Sequence, residues 1–216
     1  RDGYEAVSVS QIAGELGITK GALYRHYESK RDIFDHIVER MEQGDGEQAG
    51  EHDMPEDEKE NMPEKYEKVS LEQIVAYSKA MFVYWTEDDF ASSFRKMLTL
   101  EQFRNEEMQA LYQQYLAAGP AGYVKDLFES IGIGDAGTNA TAFYAIMFGY
   151  YSLYDGTPES DKEKVKEAVK ANVLDILLKE FGMEEEDFLS AEIEAVPAGA
   201  ARDYGFDRSM IMGYGH

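Results

Sequence analysis

The chain contains no cysteine, so it has neither a disulfide framework nor a thiolate metal site, and a reducing interior suits it. Long apolar runs are missing too. The densest stretch, residues 142–154, falls short of the roughly 18 residues that a membrane-spanning helix needs, so no membrane partner is expected. No segment alternates apolar and polar residues as a half-buried strand does, no glycine-rich phosphate loop follows a strand, and no segment repeats. The Glu-x-x-His pairs of a di-metal helical bundle are absent, as is any local Ser/His/Asp context for a nucleophile. Scarcest of all is positive charge: 21 Lys and Arg stand against 43 Asp and Glu, a formal net charge of −22 over 216 residues. Such a body repels polyanions. The deficit is uneven, however. Residues 1–41 hold 6 Lys/Arg and 7 Asp/Glu, whereas residues 42–216 hold the other 15 and 36.

The near-neutral stretch contains the most structured signal. Ser8 with Gln11 three residues on reads as a capping box opening a helix. Ile12 and Leu16 share one face of it, and Gly17 is placed to stop it. Ile18 reads as an apolar plug in the turn. Thr19 then caps a second helix over 20–27, with Leu23 and Tyr27 inward and Lys20, Ala22, Tyr24, Arg25 and His26 outward. Gly21, one turn in, costs about 1 kcal/mol against alanine. Close approach to a phosphate or groove explains that cost, and a plain hairpin does not. Two short helices with a basic, aromatic second face are helix-turn-helix logic. Lys20, Tyr24 and Lys30 are expected on phosphates, and Gly21, Ala22 and Arg25 at base edges.

The run G-Y-E-A-V-S-V-S-Q-I-A-x-x-x-G-I-T-K-G-A-L-Y-R-H-Y-x-S-K-x-x-I-F, residues 3–34, resembles the DNA-binding region of TetR/AcrR-type repressors. The resemblance implies an all-α fold: a helix-turn-helix domain over 1–41 and a helical ligand-binding and dimerisation domain over 71–182. It places Ser8, Thr19, Lys20, Gly21, Ala22, Tyr24, Arg25, His26 and Lys30 where that family touches DNA. A hydroxyl residue is common at the Ala22 position, so base preference there should differ. Family members carry a full helix before the Gly-Tyr pair, and only Arg1 and Asp2 precede it here, so a truncated first helix is expected. The implied partners are a palindromic double-stranded operator, a small-molecule inducer and a second copy of the chain, in the cytoplasm, with no cofactor.

Beyond the hairpin, Ser29 caps a helix whose stripe is Ile33, Phe34, Ile37, Val38 and Met41. Residues 42–70 carry 11 acidic and 3 basic residues with Gly44, Gly46, Gly50, Pro55 and Pro63, and read as a solvated, mobile acidic linker. His52 among its carboxylates, and the Asp32–His36 pair, read as solvated charge, so no metal is expected. Helical spacing resumes at Leu71 and runs to Trp85, then through 90–98, from Asn105 to Tyr115, and over 123–131. Thr138 opens a helix that is apolar almost all round and must be covered on every side. Ser160 and Glu163 suggest a capping box for the last helix, to Phe181. Residues 183–216 form a tail with no readable structure.

Tyr77, Trp85, Phe94, Met97, Tyr112, Tyr115, Tyr144, Phe148 and Tyr151 concentrate in 77–154. A packing core uses leucine or phenylalanine, whereas a buried phenol needs a partner for its hydroxyl. The excess of tyrosine therefore points to a cavity for a neutral or cationic aromatic or lipophilic ligand. Val165, Val169, Val173 and Ile176 are expected at a four-helix dimer interface built with the helix at 138–155. Three functions compete. A ligand-responsive transcription regulator leads; a helical adaptor that no longer binds DNA follows; an enzyme on a helical bundle, with no catalytic residue recognisable, comes last. A gel shift separates the first two, and a metal analysis tests the third.

Overall fold

The computed structural model describes residues 3–56 and 59–180, with side chains through Val173. The regular elements among them are all helical: α1 (Gly3–Ala6), α2 (Val9–Glu15), α3 (Lys20–Leu23), α4 (Lys30–Glu51), α5 (Pro63–Tyr66), α6 (Leu71–Glu87), α7 (Asp89–Glu101), α8 (Glu106–Leu116), α9 (Ala118–Ser130), α10 (Ala136–Gly156) and α11 (Lys162–Glu180). The all-α class is as the sequence predicts. The tail over 183–216 lies outside the described residues.

Polar side chains set the helix starts. Ser8 and Gln11 close a capping box on α2, and Ser70 and Gln73 close another on α6. Thr19, Ser29, Asp88 and Asn105 each accept a first-turn amide, of α3, α4, α7 and α8. The box expected from Ser160 is not formed. A 3₁₀ turn, Glu159–Asp161, leads into α11 instead, and the Ser160 hydroxyl turns to Asp161. Between α8 and α9 the chain folds back on itself, and a β-carbon at Gly119 would run into the Gln114 carbonyl.

Two cores result. A small one joins Val9, Ala13 and Leu23 with the flanks of Ile12, Tyr27 and Ile33. Leu16 is 61% exposed and Ile18 41%, so neither is the inward residue its spacing suggested; the hairpin is too short to cover both. The large core runs from Phe34 to Val173 and takes in every longer helix.

The acidic linker expected over 42–70 is not a linker. Helix α4 continues to Glu51 without a break. Ala49, Met54, Tyr66 and Val69 are then buried in the large core. The acids misled because most of them face outward. The inward positions Phe34, Val38, Met41, Asp45 and Ala49 keep the three-and-four spacing of one helix face, and a β-carbon at Gly44 would collide with the Tyr84 hydroxyl of α6.

A buried arginine, paired with a carboxylate at the surface, fixes α7 against α10. Arg95, 5% exposed, donates through Nη1 and Nη2 to both oxygens of Asp155 (2.7 and 2.8 Å) and through Nε to the Trp85 carbonyl (2.9 Å). Its guanidinium also lies over the Tyr151 ring, 5.2 Å from the centroid. Removing Arg95 takes away a charged donor from the Trp85 carbonyl and from Asp155, which is left in water with Lys96 at 3.6 Å. Arg95→Ala should therefore cost roughly 1–3 kcal/mol of stability, read as a fall in the unfolding midpoint, whereas Lys164→Ala, whose side chain is 74% exposed, should change it little.

Candidate functional site

The hairpin presents its side chains much as the sequence predicts. Helix α3 is one turn long, not eight residues: after Leu23 the amides of Arg25 and His26 bond three residues back, tightening the backbone away from α-helix. Ser8, Thr19, Lys20, Gly21, Tyr24, Arg25 and His26 are exposed and Ala22 partly so. The Ser8 and Thr19 hydroxyls are engaged in caps. Lys20 Nζ sits 5.6 Å from the Tyr24 ring centroid. A β-carbon at Gly21 would meet nothing closer than the Thr19 hydroxyl, at 4.0 Å. No contact within the chain therefore calls for glycine at that position.

Lys30 departs from its expected role. Its ammonium donates to the carbonyls of Tyr4 (2.8 Å) and Val7 (3.1 Å) and lies 4.3 Å from the Tyr4 ring centroid. Two of its three donors hold the N-terminal segment onto α4, and the outward face of the hairpin has lost a cation. The other end of that segment is pinned by Glu101, fully buried on α7, which accepts the Glu5 amide at 3.3 Å. Gly3, at φ +80°, passes so close that any side chain would strike the Glu101 carboxylate.

Behind the hairpin, the C-terminal half of α4 walls a cavity of about 1000 Å³ between α6, α8, α9 and α10. Of the nine aromatics and methionines expected to line a pocket, Tyr77, Trp85, Tyr115, Tyr144 and Tyr151 do so. Phe94 and Tyr112 are buried in the core, and Met97 and Phe148 pack against it; none of the four reaches the cavity wall. Phenols there find partners: Tyr123 donates to the Pro55 carbonyl (2.9 Å), Tyr144 to that of Leu116 (2.9 Å) and Tyr115 to Glu42 (3.3 Å). Burial raises the pKa of Tyr77, Tyr115, Tyr123, Tyr144 and Tyr151 above the ordinary phenol range.

Reading 42–70 as a linker hid Glu42, Asp45, Tyr66 and the elements facing Tyr123. The signal was present, since Asp45 falls on the apolar stripe of α4. Its Oδ1 is buried with no hydrogen-bond partner, and burial pushes its carboxyl up to about 7.

The dimer residues are corrected in part. Val169 and Val173 are 1% and 0% exposed inside this chain, against α6 and α10, and Val165 packs on the same core. Their surface is consumed within one copy. The Ile176 side chain lies outside the described residues. Among the described residues a stripe on α10 stays exposed, Ala142, Ile146 and Leu153 with Gly149 partly so, Ile146 at 41% and Leu153 at 40%. Among the described residues no group of three or more His, Cys, Asp or Glu converges as metal ligands. His52 bonds the Gln48 carbonyl and lies edge-on to Tyr77. No helix is long and apolar enough to cross a membrane, among the described residues.

Capped hairpin, small separate core and all-helical body make a helix-turn-helix arrangement on a helical bundle. Residues 1–37 match the family model of bacterial regulatory proteins of the tetR family, and the match takes in the whole hairpin. Other likenesses are partial. Over 42 residues the chain is 40% identical to the nucleoid occlusion factor SlmA of Actinobacillus pleuropneumoniae, covering 19% of this chain and 21% of that protein. Over 70 residues it is 54% identical to a probable M18 family aminopeptidase 1 of Clostridium acetobutylicum, and over 64 residues 57% identical to that of Thermotoga maritima. These cover 32% and 29% of this chain and 14% of each enzyme. The chain thus spans about one seventh of the length of those aminopeptidases. No solved structure matches it.

Two measurements check the site. Lys30→Met should cost roughly 1–3 kcal/mol, because two carbonyls lose a charged donor, whereas Lys20→Ala should stay within about 0.5 kcal/mol of the parent. For Asp45, the folded chain keeps a proton that the unfolded chain releases above the ordinary carboxyl range. Stability contributed by that proton is full at low pH and is lost as pH rises towards about 7. Asp45→Asn should accordingly raise the unfolding midpoint at about pH 8 and leave it near the parent's at about pH 4.

Proposed function

We propose that the protein is a ligand-responsive, DNA-binding transcription repressor of the cytoplasm, acting as a homodimer on a palindromic operator and released from it by a small lipophilic or aromatic molecule. The observation that carries this reading is α4: one uninterrupted helix starts in the small core of the reader, at Ile33, and ends as a wall of the cavity, at Asp45 and Ala49. Whatever fills the cavity pushes on the helix that aims the hairpin.

In this reading Lys20 and Tyr24 hold phosphates, fixing register, while Gly21, Ala22 and Arg25 approach base edges. The exposure of these side chains and the open space at Gly21 support it. With Lys30 turned inward few cations remain, so affinity should be moderate and strongly dependent on salt. One hairpin covers one half-site, so tight binding needs two related by a two-fold axis. The exposed α10 stripe supports self-association there. A ligand that wedges α7 and α8 against α4 would change the separation of two hairpins. By linkage, DNA must weaken ligand binding by the same factor, typically about 5–150-fold.

Gel shifts with the protein's own upstream DNA at two salt concentrations test this. Lys20→Ala should weaken binding to all sequences and flatten the salt slope by about one unit. Arg25→Ala should relax preference among sites, at roughly 1–3 kcal/mol on the best one. Unchanged binding and slope in both variants would show that the hairpin is not the reader. Ile146→Asp should shift sedimentation from dimer to monomer while the fold persists, since the residue is exposed in one copy; an unchanged dimer would remove this face.

The aminopeptidase likeness favours a second reading, in which part of the chain shares ancestry with a peptidase and retains peptide chemistry. Incubation with aminoacyl p-nitroanilides, with divalent cations added, tests it: no release above buffer retires the reading.

A further inference from the structure

The cavity wall is acidic, with Glu42, Glu56, Glu60, Asp126 and Glu129 towards its edge, and Asp45 stands in it on the inward stripe of α4 between Met41 and Ala49. Its Oδ1 has no partner, and among the described residues no cation pairs with it. The wall contains two lysines, Lys59 and Lys125, and both are taken by Glu129, at 3.2 and 3.1 Å. The nearby phenols are committed elsewhere, Tyr115 to Glu42, Tyr123 to Pro55 and Tyr144 to Leu116. A carboxylate oxygen buried without a partner lowers stability, and leucine at the same position would not.

We propose that the cavity takes a monovalent organic cation with an aromatic or lipophilic body, and that Asp45 is its counter-ion. This deepens, and rests on, the ligand-responsive reading above. A cation supplies the opposite charge that Asp45 lacks, while a neutral ligand without a donor leaves Oδ1 orphaned and an anion is repelled by Asp45 and Glu42 together. The rings of Tyr77, Trp85 and Tyr151 line the same wall, and electron-rich ring faces attract a desolvated cation. A volume of about 1000 Å³ accommodates a body of several rings.

Burial raises the Asp45 carboxyl to about 7, so below that pH a proton competes with a permanent cation, which binds more tightly as pH rises. The groups that face Asp45 are Tyr77 and Tyr84 of α6, Tyr115 of α8 and Tyr151 of α10, with Glu42 one turn earlier on α4. Burial keeps all four phenols neutral well beyond pH 8, so they add no charge over the interval tested.

The test uses the full chain without DNA, with tetraphenylphosphonium as cation and triphenylphosphine oxide as its neutral counterpart. Binding is read by Trp85 fluorescence and by calorimetry at about pH 6 and pH 8. The cation should bind at least about tenfold more tightly than the oxide at the higher pH, and up to about tenfold more tightly there than at the lower. The oxide should be indifferent to pH. Asp45→Asn should abolish both differences and leave oxide binding in place. Equal affinities for the two probes, or a cation affinity independent of pH in the unsubstituted chain, would overturn the proposal without any variant. A gel shift with each probe then keeps the two readings apart. A cation that binds as described and leaves DNA affinity unchanged removes the regulatory reading and upholds the cation site. DNA release by the oxide as readily as by the cation does the reverse.

Discussion

Everything in the molecule is referred to the backbone hydrogen bonding of α4. Twenty-two residues in unbroken helix make a rod about 33 Å long. Its first turn contributes Ile33 to the small core of the hairpin and Phe34 to the large core. Its last three turns wall the cavity. Because one rod belongs to both cores, the hairpin has no orientation independent of the bundle. Two further ties fix the near end. Arg31 reaches both carboxylate oxygens of Glu107 on α8, at 2.6 and 2.5 Å, and the N-terminal segment is stitched between Lys30 and Glu101. The surface pair with Glu107 is half-exposed and contributes little alone; the buried contacts of Glu101 and the inward turn of Lys30 contribute more.

The body balances its excess of acid by segregation. The buried charges of Arg95 and Glu101 are paired, with Asp155 and Arg104, and among the described residues the buried carboxylate oxygens left without a hydrogen bond are Asp45 Oδ1 at the cavity and Glu101 Oε2. A bundle selected for stability alone would have no use for an ionisable side chain at Asp45. Its presence on an otherwise apolar stripe is the kind of local inconsistency that marks function rather than folding.

The hairpin was legible because its signals are local. A cap, a box partner three residues away and a stop glycine are read within one turn, and Ser8, Gln11, Gly17 and Thr19 do what their spacing implies. The inward turn of Lys30 was not legible, since it depends on where the backbone of Tyr4 and Val7 ends up. The cavity was half legible. Counting tyrosines found Tyr77, Tyr115, Tyr144 and Tyr151, yet composition could not tell a wall from a core, and Phe94 and Tyr112 went to the core. The linker error had one cause: charge density outweighed a sparse apolar stripe. Helix formation there follows from tertiary packing against α6, which no window of residues 42–51 contains. Val169 and Val173 show the same limit from the other side, because an apolar face does not announce whether its partner is the same copy or another.

Helix α4 is also uneven along its length. Gly44, Gly46 and Gly50 all fall in its C-terminal half, and each costs about 1 kcal/mol against alanine in a helix interior. The reader's end of the rod is stiff by its own sequence, while the cavity's end is helical only because Tyr84 and its neighbours hold it so. The stretch of the rod that walls the cavity is thus the one with the smallest intrinsic tendency to stay wound, and its helical form depends on what packs against it.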